Sequence, residues 1–394
     1  MAVAFVGQAV EIPSNDGREI KIVSTGPGEW FVAWFDSALY LGCARVDDDG
    51  NLLYGPVQLD RAGKTPDLYN SGMAWDGARI GWCYTNFLGQ SYEAWFHLLD
   101  RDGNAVSAPV LVSDDVYPSY PLVRDLVFAE GQYLAGYAYQ SNTNTPPTQI
   151  RTRLLDASGG IASPEITLWS AQPGEGSTGP SVARLGNTLA AAWHRWSGIE
   201  TIMMAMADPQ GNLLVPPAVY VSPASGGGPY VTGLIAEDDR FDLTFVERLS
   251  GGGSMPLEMI QVDGQGLVLE DRTVILENSQ SSAAFASTRS GDGIGTAFME
   301  AYGPGCPCIY VSRAPGDASF VAAGPSAGAR VAFSSWNDRD AALELFVTRG
   351  PSPAVTSEVR VADDASAGFA LLASYEPYPG ATHGAALAGL PMGY

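Results

Sequence analysis

The sequence is poor in charge, and poorest in positive charge: 16% of its 394 residues are Asp, Glu, Lys or Arg, and 21 Lys and Arg stand against 43 Asp and Glu, a formal net charge of −22. A field of that sign repels polyanions at long range, so nucleic acid and anionic membrane surfaces are not expected as partners. Long hydrophobic runs are missing as well. No stretch of about 18 apolar residues occurs, which excludes a membrane-spanning helix and the insertion it would bring. The N-terminal MAVAFVGQAVEIPSND has neither a basic n-region nor a long apolar core, so no signal peptide is visible in it. Histidine and cysteine are scarce. His97 falls within a strand, His383 at a turn and His194 at a strand end, so a tri-His metal centre is not expected. Of Cys43, Cys83, Cys306 and Cys308, the last two form a C-x-C that suits neither an ordinary disulfide nor a zinc knuckle, and all four read as buried or free thiols. The nucleophile elbow G-x-S-x-G, the H-E-x-x-H helix, the Walker loop and the dinucleotide fingerprint are all absent.

What the chain does have is glycine, proline and repetition. With 46 Gly and 27 Pro and no sustained 3.6-residue period, the composition is that of many short strands joined by tight turns, an all-β chain. The stretch Gly28 to Asp60 recurs in variants to the far end. One landmark is the residue closing its second strand: Trp34, Trp82, Tyr137, Trp193, Phe245, Phe298, Phe333 and Leu387. A second is Asp-x-x-Gly, at Asp47, Asp100, Asp156, Asp208 and Asp263. Both keep a period of about 53 residues, although the interval from Phe298 to Phe333 is short by about one strand, and two features in phase make an internal repeat.

Residues 180–222 show the unit most clearly: PSVARL, TLAAAW, TIMMAMA and AVYVS are four strands, with GN and DPQGN at two of the turns. Four antiparallel strands at this period are the size of one β-propeller blade. Eight copies of the second strand favour eight blades; seven is the alternative if the sixth and seventh units merge. The last copy runs out after GAALAGLPMGY, and residues 2–12, AVAFVGQAVEI, would supply its missing strand and close the ring, making residues 1–394 a single domain. The pattern VAW…ARVDxDGxxL…PVxL resembles repeats of bacterial secreted and surface proteins assigned to propeller folds. That resemblance spans nearly the whole chain, implies a secreted or cell-surface address, and carries over no catalytic residue.

Where the copies agree, they build the fold. The recurrent aromatic fills the space between neighbouring blades, and DDDGN at Asp47 and DRDGN at Asp100 are hairpin turns rather than calcium loops, since no Glu sits where a calcium loop would end. Calcium is therefore not expected, nor any other cofactor. Where the copies differ, after the second strand and before the first, the connections share one face of a propeller. Aromatics, carboxylates, amides and arginines there (Asp36, Tyr84, Asn86, Tyr139, His194, Arg195, Trp196, Arg248, Tyr302 and Trp336, with Asp338, Asp114, Asp115, Tyr117 and Tyr120 beside them) suit a glycan, a peptide or a protein partner. His194-Arg195-Trp196 is the sharpest cluster, and Glu247 or Glu300 on a following blade could complete a proton-transfer pair with His194. Two functions follow: a non-enzymatic binding or scaffold protein, or a lyase or hydrolase acting on a polysaccharide or small metabolite. The absence of a catalytic motif favours the first.

Overall fold

Short runs of β-branched and aromatic residues bounded by Gly, Pro, Asn and Asp make strands, and every regular element among the described residues of the computed structural model is one. The structure describes residues 19–279 apart from 27–28, 36–40, 48–51, 60–63, 65, 89–90, 115–118, 142–147, 224–227, 238 and 248–254, and beyond them the strands between 285 and 388; side chains are described between 21 and 274, outside those stretches and some strand positions.

In chain order, β1 (Glu19–Gly26), β2 (Glu29–Phe35), β3 (Leu41–Asp47) and β4 (Leu52–Gln58) form the first sheet. The second holds β5 (Pro66–Trp75), β6 (Ile80–Leu88), β7 (Ser91–Leu99) and β8 (Val110–Leu111), and the third β9 (Ser119–Ala129), β10 (Gln132–Ser141), β11 (Gln149–Asp156) and β12 (Ile166–Ser170). In the fourth, the leading strand is split into β13 (Gly176–Ser177) and β14 (Ser181–Leu185), both paired to β15 (Thr188–Trp196), and β16 (Glu200–Ala207) and β17 (Leu213–Val221) follow. The fifth comprises β18 (Pro229–Ala236), β19 (Arg240–Glu247), β20 (Met255–Asp263) and β21 (Val268–Ser279). The sixth comprises β22 (Phe285–Ser290), β23 (Gly293–Gly303), β24 (Cys306–Ala314) and β25 (Asp317–Ala323). The seventh comprises β26 (Arg330–Asn337), β27 (Ala342–Arg349), β28 (Ala354–Ala362) and β29 (Phe369–Pro379), and the two-residue β30 (Leu387–Ala388) adds to the first sheet. Within these sheets successive strands pair antiparallel.

The chain divides into two compact units, one of Met1–Asp60, Asp100–Asn104 and Asn278–Met392, the other of Arg61–Leu99, Ala105–Glu277 and Gly393–Tyr394. In the first unit β30 pairs in parallel with β1, Ile20 opposite Leu387 and Lys21 opposite Ala388. Leu387 therefore lies in a strand that joins the first sheet, and residues 2–12, expected to close the ring, lie outside the described residues. Phe333 departs from its expected position too: it sits in β26, which leads its sheet, rather than in a second strand. The physical reason is that RVAF has the same short apolar alternation in either role, and only the pairing partner distinguishes them.

The repeated Asp-x-x-Gly is a turn, and also a contact. At Asp100 the carboxylate accepts the backbone N–H groups of Asp102 and Asn104, each at 2.9 Å, while the Gly103 N–H donates to the Asp100 carbonyl at 3.1 Å. The same pattern holds at Asp156, Asp208 and Asp263. Gly103, with φ 81°, takes the left-handed conformation the turn needs. A Cβ on Gly103 would also stand 2.6 Å from Cys43 Sγ and 3.1 Å from Phe31 of the first sheet. One at Gly266 would stand 2.7 Å from Val215 on β17, and there the Tyr220 hydroxyl donates to the Gly266 carbonyl at 2.9 Å. Within the second unit the turns at Gly159, Gly211 and Gly266 thus each rest against the sheet before them.

In the second unit the leading strands β5, β9, β14 and β18 adjoin in succession. Apolar layers fill the spaces between consecutive sheets, one joining Phe96 to Tyr133, one Leu154 to Trp193, one Met204 to Phe245. The landmark aromatics Tyr137, Trp193 and Phe245 are fully buried in them, the packing role the repeat implied, and Trp82 is fully buried too; the Trp34 side chain lies outside the described residues. Polar clamps tie the layers. The Thr85 hydroxyl donates to the Pro121 carbonyl at 2.8 Å and accepts the Val123 N–H at 3.0 Å, and Asp125 accepts the Val182 N–H at 3.0 Å. No helix among the described residues is long and apolar enough to cross a membrane.

Candidate functional site

The β15–β16 hairpin is where candidate side chains meet in the open. Strand alternation sorts β15 into two faces. Trp193 and Arg195 point toward the third sheet, where Trp193 meets Trp169 at 5.9 Å between ring centroids and Arg195 reaches Met203 Sδ at 3.7 Å. His194 and Trp196 point toward the fifth sheet, on the face that Ala192 and Ile202 already bury against Phe245 and its neighbours. The register pairs Trp196 with Glu200 across the Ser197–Ile199 turn, so the indole and the carboxylate are lateral neighbours on that face.

Backbone on both sides fixes this hairpin end. Gly176 and Ser177 pair with Trp196 and Arg195, the Thr178 N–H donates to the His194 carbonyl at 3.1 Å, and Gln140 Nε2 donates to the Ser177 carbonyl at 3.3 Å. Gly176 forms a floor: a Cβ there would lie 2.2 Å from Trp196 Cε2, so the indole rests directly on the main chain. The ring remains 40% exposed. His194, 4% exposed, stacks against Tyr230 of β18 at 4.4 Å and Trp196 at 5.7 Å, and its Nε2 lies 3.6 Å from Glu200 Oε2. That distance is an ion-pair approach beyond hydrogen-bond length. Burial holds the His194 pKa below its ordinary value, with Glu200 opposing, so the imidazole is neutral near pH 7. Arg195, on the opposite face, is tied to Glu175 at 3.2 Å and to the Ser197 hydroxyl at 2.6 Å.

The remaining candidates lie elsewhere. Tyr84, Asn86 and Tyr139 are buried within β6 and β10; the Tyr84 ring is 4.3 Å from that of Trp82, and the Arg151 guanidinium lies 4.2 Å over the Tyr139 ring. Glu247 is buried at the end of β19 and meets Arg272 Nη1 at 2.7 Å, with Glu258 at 3.3 Å from the same nitrogen. Desolvation raises the Glu258 pKa against the pull of Arg272. The acidic neighbour of His194 is thus Glu200, on its own hairpin, while Glu247 is engaged by an arginine. Asp114 pairs with Arg153 at 2.6 Å, and Tyr120 meets Tyr92 edge to face. Glu300 and Tyr302 lie in β23 and Trp336 in β26, with side chains outside the described residues; Asp36, Asp115, Tyr117, Arg248, Asp338 and His383 lie outside them altogether. Among the described residues no group of three or more His, Cys, Asp or Glu could hold a metal ion.

Sequence reasoning passed over Glu200, Tyr230 and Gly176. Glu200 had a readable signal, since a three-residue hairpin loop centred on Gly198 sets it opposite Trp196. Tyr230 and Gly176 had none, because both arrive from other strands.

No family model and no curated protein matches the chain. Solved structures do. The chain is similar to the BP39L lectin of Burkholderia pseudomallei, with a TM-score of 0.60 and 12% identity over 92% of this chain and 100% of that one. It is also similar to the β-propeller domain of the Trilobed protease from Pyrococcus furiosus, with a TM-score of 0.53 and 9% identity over 92% and 99% of the two chains. A prolyl endopeptidase matches with a TM-score of 0.55 and 12% identity over 93% of this chain, which spans 50% of the endopeptidase's length. At such identities the likeness is one of fold: an all-β chain of antiparallel, mostly four-stranded sheets with β-propeller neighbours.

Proposed function

We propose that the protein is a non-enzymatic binding protein that takes a glycan on its loop face, at the hairpin bearing His194, Trp196 and Glu200. One observation carries the reading: an indole 40% exposed, resting on the Gly176 main chain, paired across the hairpin with a carboxylate and beside the His194 ring that Tyr230 backs. An immobilised aromatic face stacks on the apolar face of a sugar ring, and polar groups beside it meet hydroxyls. A lectin among the structural neighbours supports the same ligand class. Asp36, Arg248, Tyr302 and Trp336 remain proposed ligand-binding residues, and a peptide or protein partner is the second ligand class of this reading. Seven sheets of blade size support the seven-bladed alternative, with the whole chain as one domain, and the repeat resemblance supports a secreted or cell-surface address.

The alternative, a hydrolase or lyase, draws on the 3.6 Å approach of His194 to Glu200. Against it stand the near-complete burial of His194 and the engagement of Glu247 by Arg272. A glycan array read together with Trp fluorescence separates the two. Binding that is lost in Trp196→Ala, with the bound glycan recovered intact, supports the binding reading; a blank array, or glycan cleavage abolished by His194→Gln, defeats it.

A further inference from the structure

Several carboxylates among the described residues are matched to arginines. Glu175 pairs with Arg195, Glu165 with Arg151, Asp114 with Arg153, and Glu247 with Arg272. Glu200 has His194 alone: no Lys or Arg among the described residues pairs with it, and its side chain is 38% exposed. Buried in rings, His194 stays neutral and supplies no compensating charge.

Two aromatic rings, whose faces carry negative quadrupoles, stand near that carboxylate: Trp196 and Tyr230 both meet the His194 ring that approaches Glu200. One carboxylate oxygen, Oε2, packs on the Gly228 main chain, where a Cβ would fall 1.4 Å from it. A net charge of −22 adds a long-range field that concentrates positive ligands and disfavours acidic ones.

Resting on the glycan reading, we infer that the sugar taken at Trp196 carries a free amino group, so that the pyranose stacks on the indole while its ammonium sits against the Glu200 carboxylate. A neutral sugar would leave Glu200 without its counter-charge. An acidic sugar would be repelled by it. An N-acetylated sugar keeps the stacking face and loses the charge, which makes it the informative comparison.

The test is calorimetric titration of the full chain, at about pH 7 where the His194 imidazole is neutral and an amine of ordinary pKa is mostly protonated, with a glucosamine tetrasaccharide, its N-acetylated counterpart and tetralysine. The wild type is expected to prefer the free amine about tenfold, the usual order for a charge-assisted contact. In Glu200→Gln the ratio of the two affinities falls toward one, and in Trp196→Ala both sugars weaken; thermal melts of both variants verify folding. A wild-type ratio near one, or a ratio unchanged in Glu200→Gln, overturns the amino-sugar inference and leaves the glycan reading standing. Failure of every glycan to bind defeats both. Tetralysine binding as tightly as the tetrasaccharide shows that charge alone is read and overturns the inference as well.

Discussion

Gly176→Ala is the most discriminating perturbation of the proposed site, because it moves the indole without altering any group that could touch a ligand. The new Cβ would lie 2.2 Å from Trp196 Cε2 and 2.3 Å from Cζ2 and Nε1. Carbon atoms rest about 3.5–4 Å apart, so the ring must retreat by roughly 1.5 Å or swing off its floor. The backbone itself accepts the change, since Gly176 is not among the residues with positive φ. A sugar stacked on the fixed ring gains about 1 kcal/mol from the aromatic face, and burying about 50 Å² of apolar surface at ~25 cal/mol per Å² adds about 1.3 kcal/mol. Losing most of both, about 2 kcal/mol, weakens binding roughly thirtyfold. Folding should change by less than about 1 kcal/mol, the ring being free to move into solvent. The measurement is a double-mutant cycle by titration with the best array glycan, using wild type, Gly176→Ala, Trp196→Ala and the double variant. If Gly176 acts only by supporting the indole, its substitution adds nothing once Trp196 is gone. Wild-type affinity in Gly176→Ala, or an equal loss in both backgrounds, would refute the reasoning.

Elsewhere the structure ranks substitutions by what must yield. Gly72→Ala places a Cβ 2.5 Å from the Leu126 backbone nitrogen, whereas Gly136→Ala meets Val182 Cγ1 at 2.4 Å; the first should cost about 3 kcal/mol, the second about 1–2, and Val182→Ala should relieve only the second in chemical unfolding. Arg272→Met takes the arginine away from the Glu247 and Glu258 carboxylates, at a loss of about 3 kcal/mol at neutral pH. Because burial already holds the Glu258 pKa up, folded Arg272→Met binds more protons than its unfolded chain, and acidification toward about pH 4 restores stability; a loss independent of pH counts against this account. For His194 the sign is opposite: its pKa is lowered, the unfolded chain binds the extra proton, and the wild type should lose stability relative to His194→Gln as pH falls below about 6.5, as urea unfolding between pH 5 and 8 would show. Excess chelator should leave the melting midpoint unchanged, since the Asp100, Asp156, Asp208 and Asp263 carboxylates accept backbone N–H groups of their own turns; a fall of several degrees would reinstate calcium.

Strands and turns were legible because period-2 alternation and Asp-x-x-Gly are local signals. The unit read at residues 180–222 matches β14 to β17 closely, and the turn chemistry at Asp208 to Asn212 is the one that Gly and Asn imply. Legibility failed where a choice depended on partners. Phe333 looks like a second-strand residue until pairing makes β26 a leading strand. Tyr84, Asn86 and Tyr139 looked like loop residues because they follow the landmark aromatic, but β6 runs on to Leu88 and β10 to Ser141, carrying them inside. Gly103 and Gly266 were assigned to turn geometry alone; that a Cβ would also strike the preceding sheet is a tertiary fact.

The same alternation that hid those residues explains how one strand can serve both the fold and a site. On β15 the odd positions Trp193 and Arg195 face the third sheet, where the guanidinium is neutralised by Glu175 and the indole by apolar contact. The even positions His194 and Trp196 face the fifth, where the leading strand begins at Pro229, next to Gly228, whose missing side chain leaves room that the Glu200 carboxylate takes up. A complete interior needs each charge matched and each ring covered; the odd face meets both conditions. At the hairpin end Trp196 is left half open, and among the described residues Glu200 meets only the neutral imidazole of His194. Since the rest of the hairpin is built to the standard of a core, the mismatch is confined to the end that reaches solvent, which is why the proposed site is placed there.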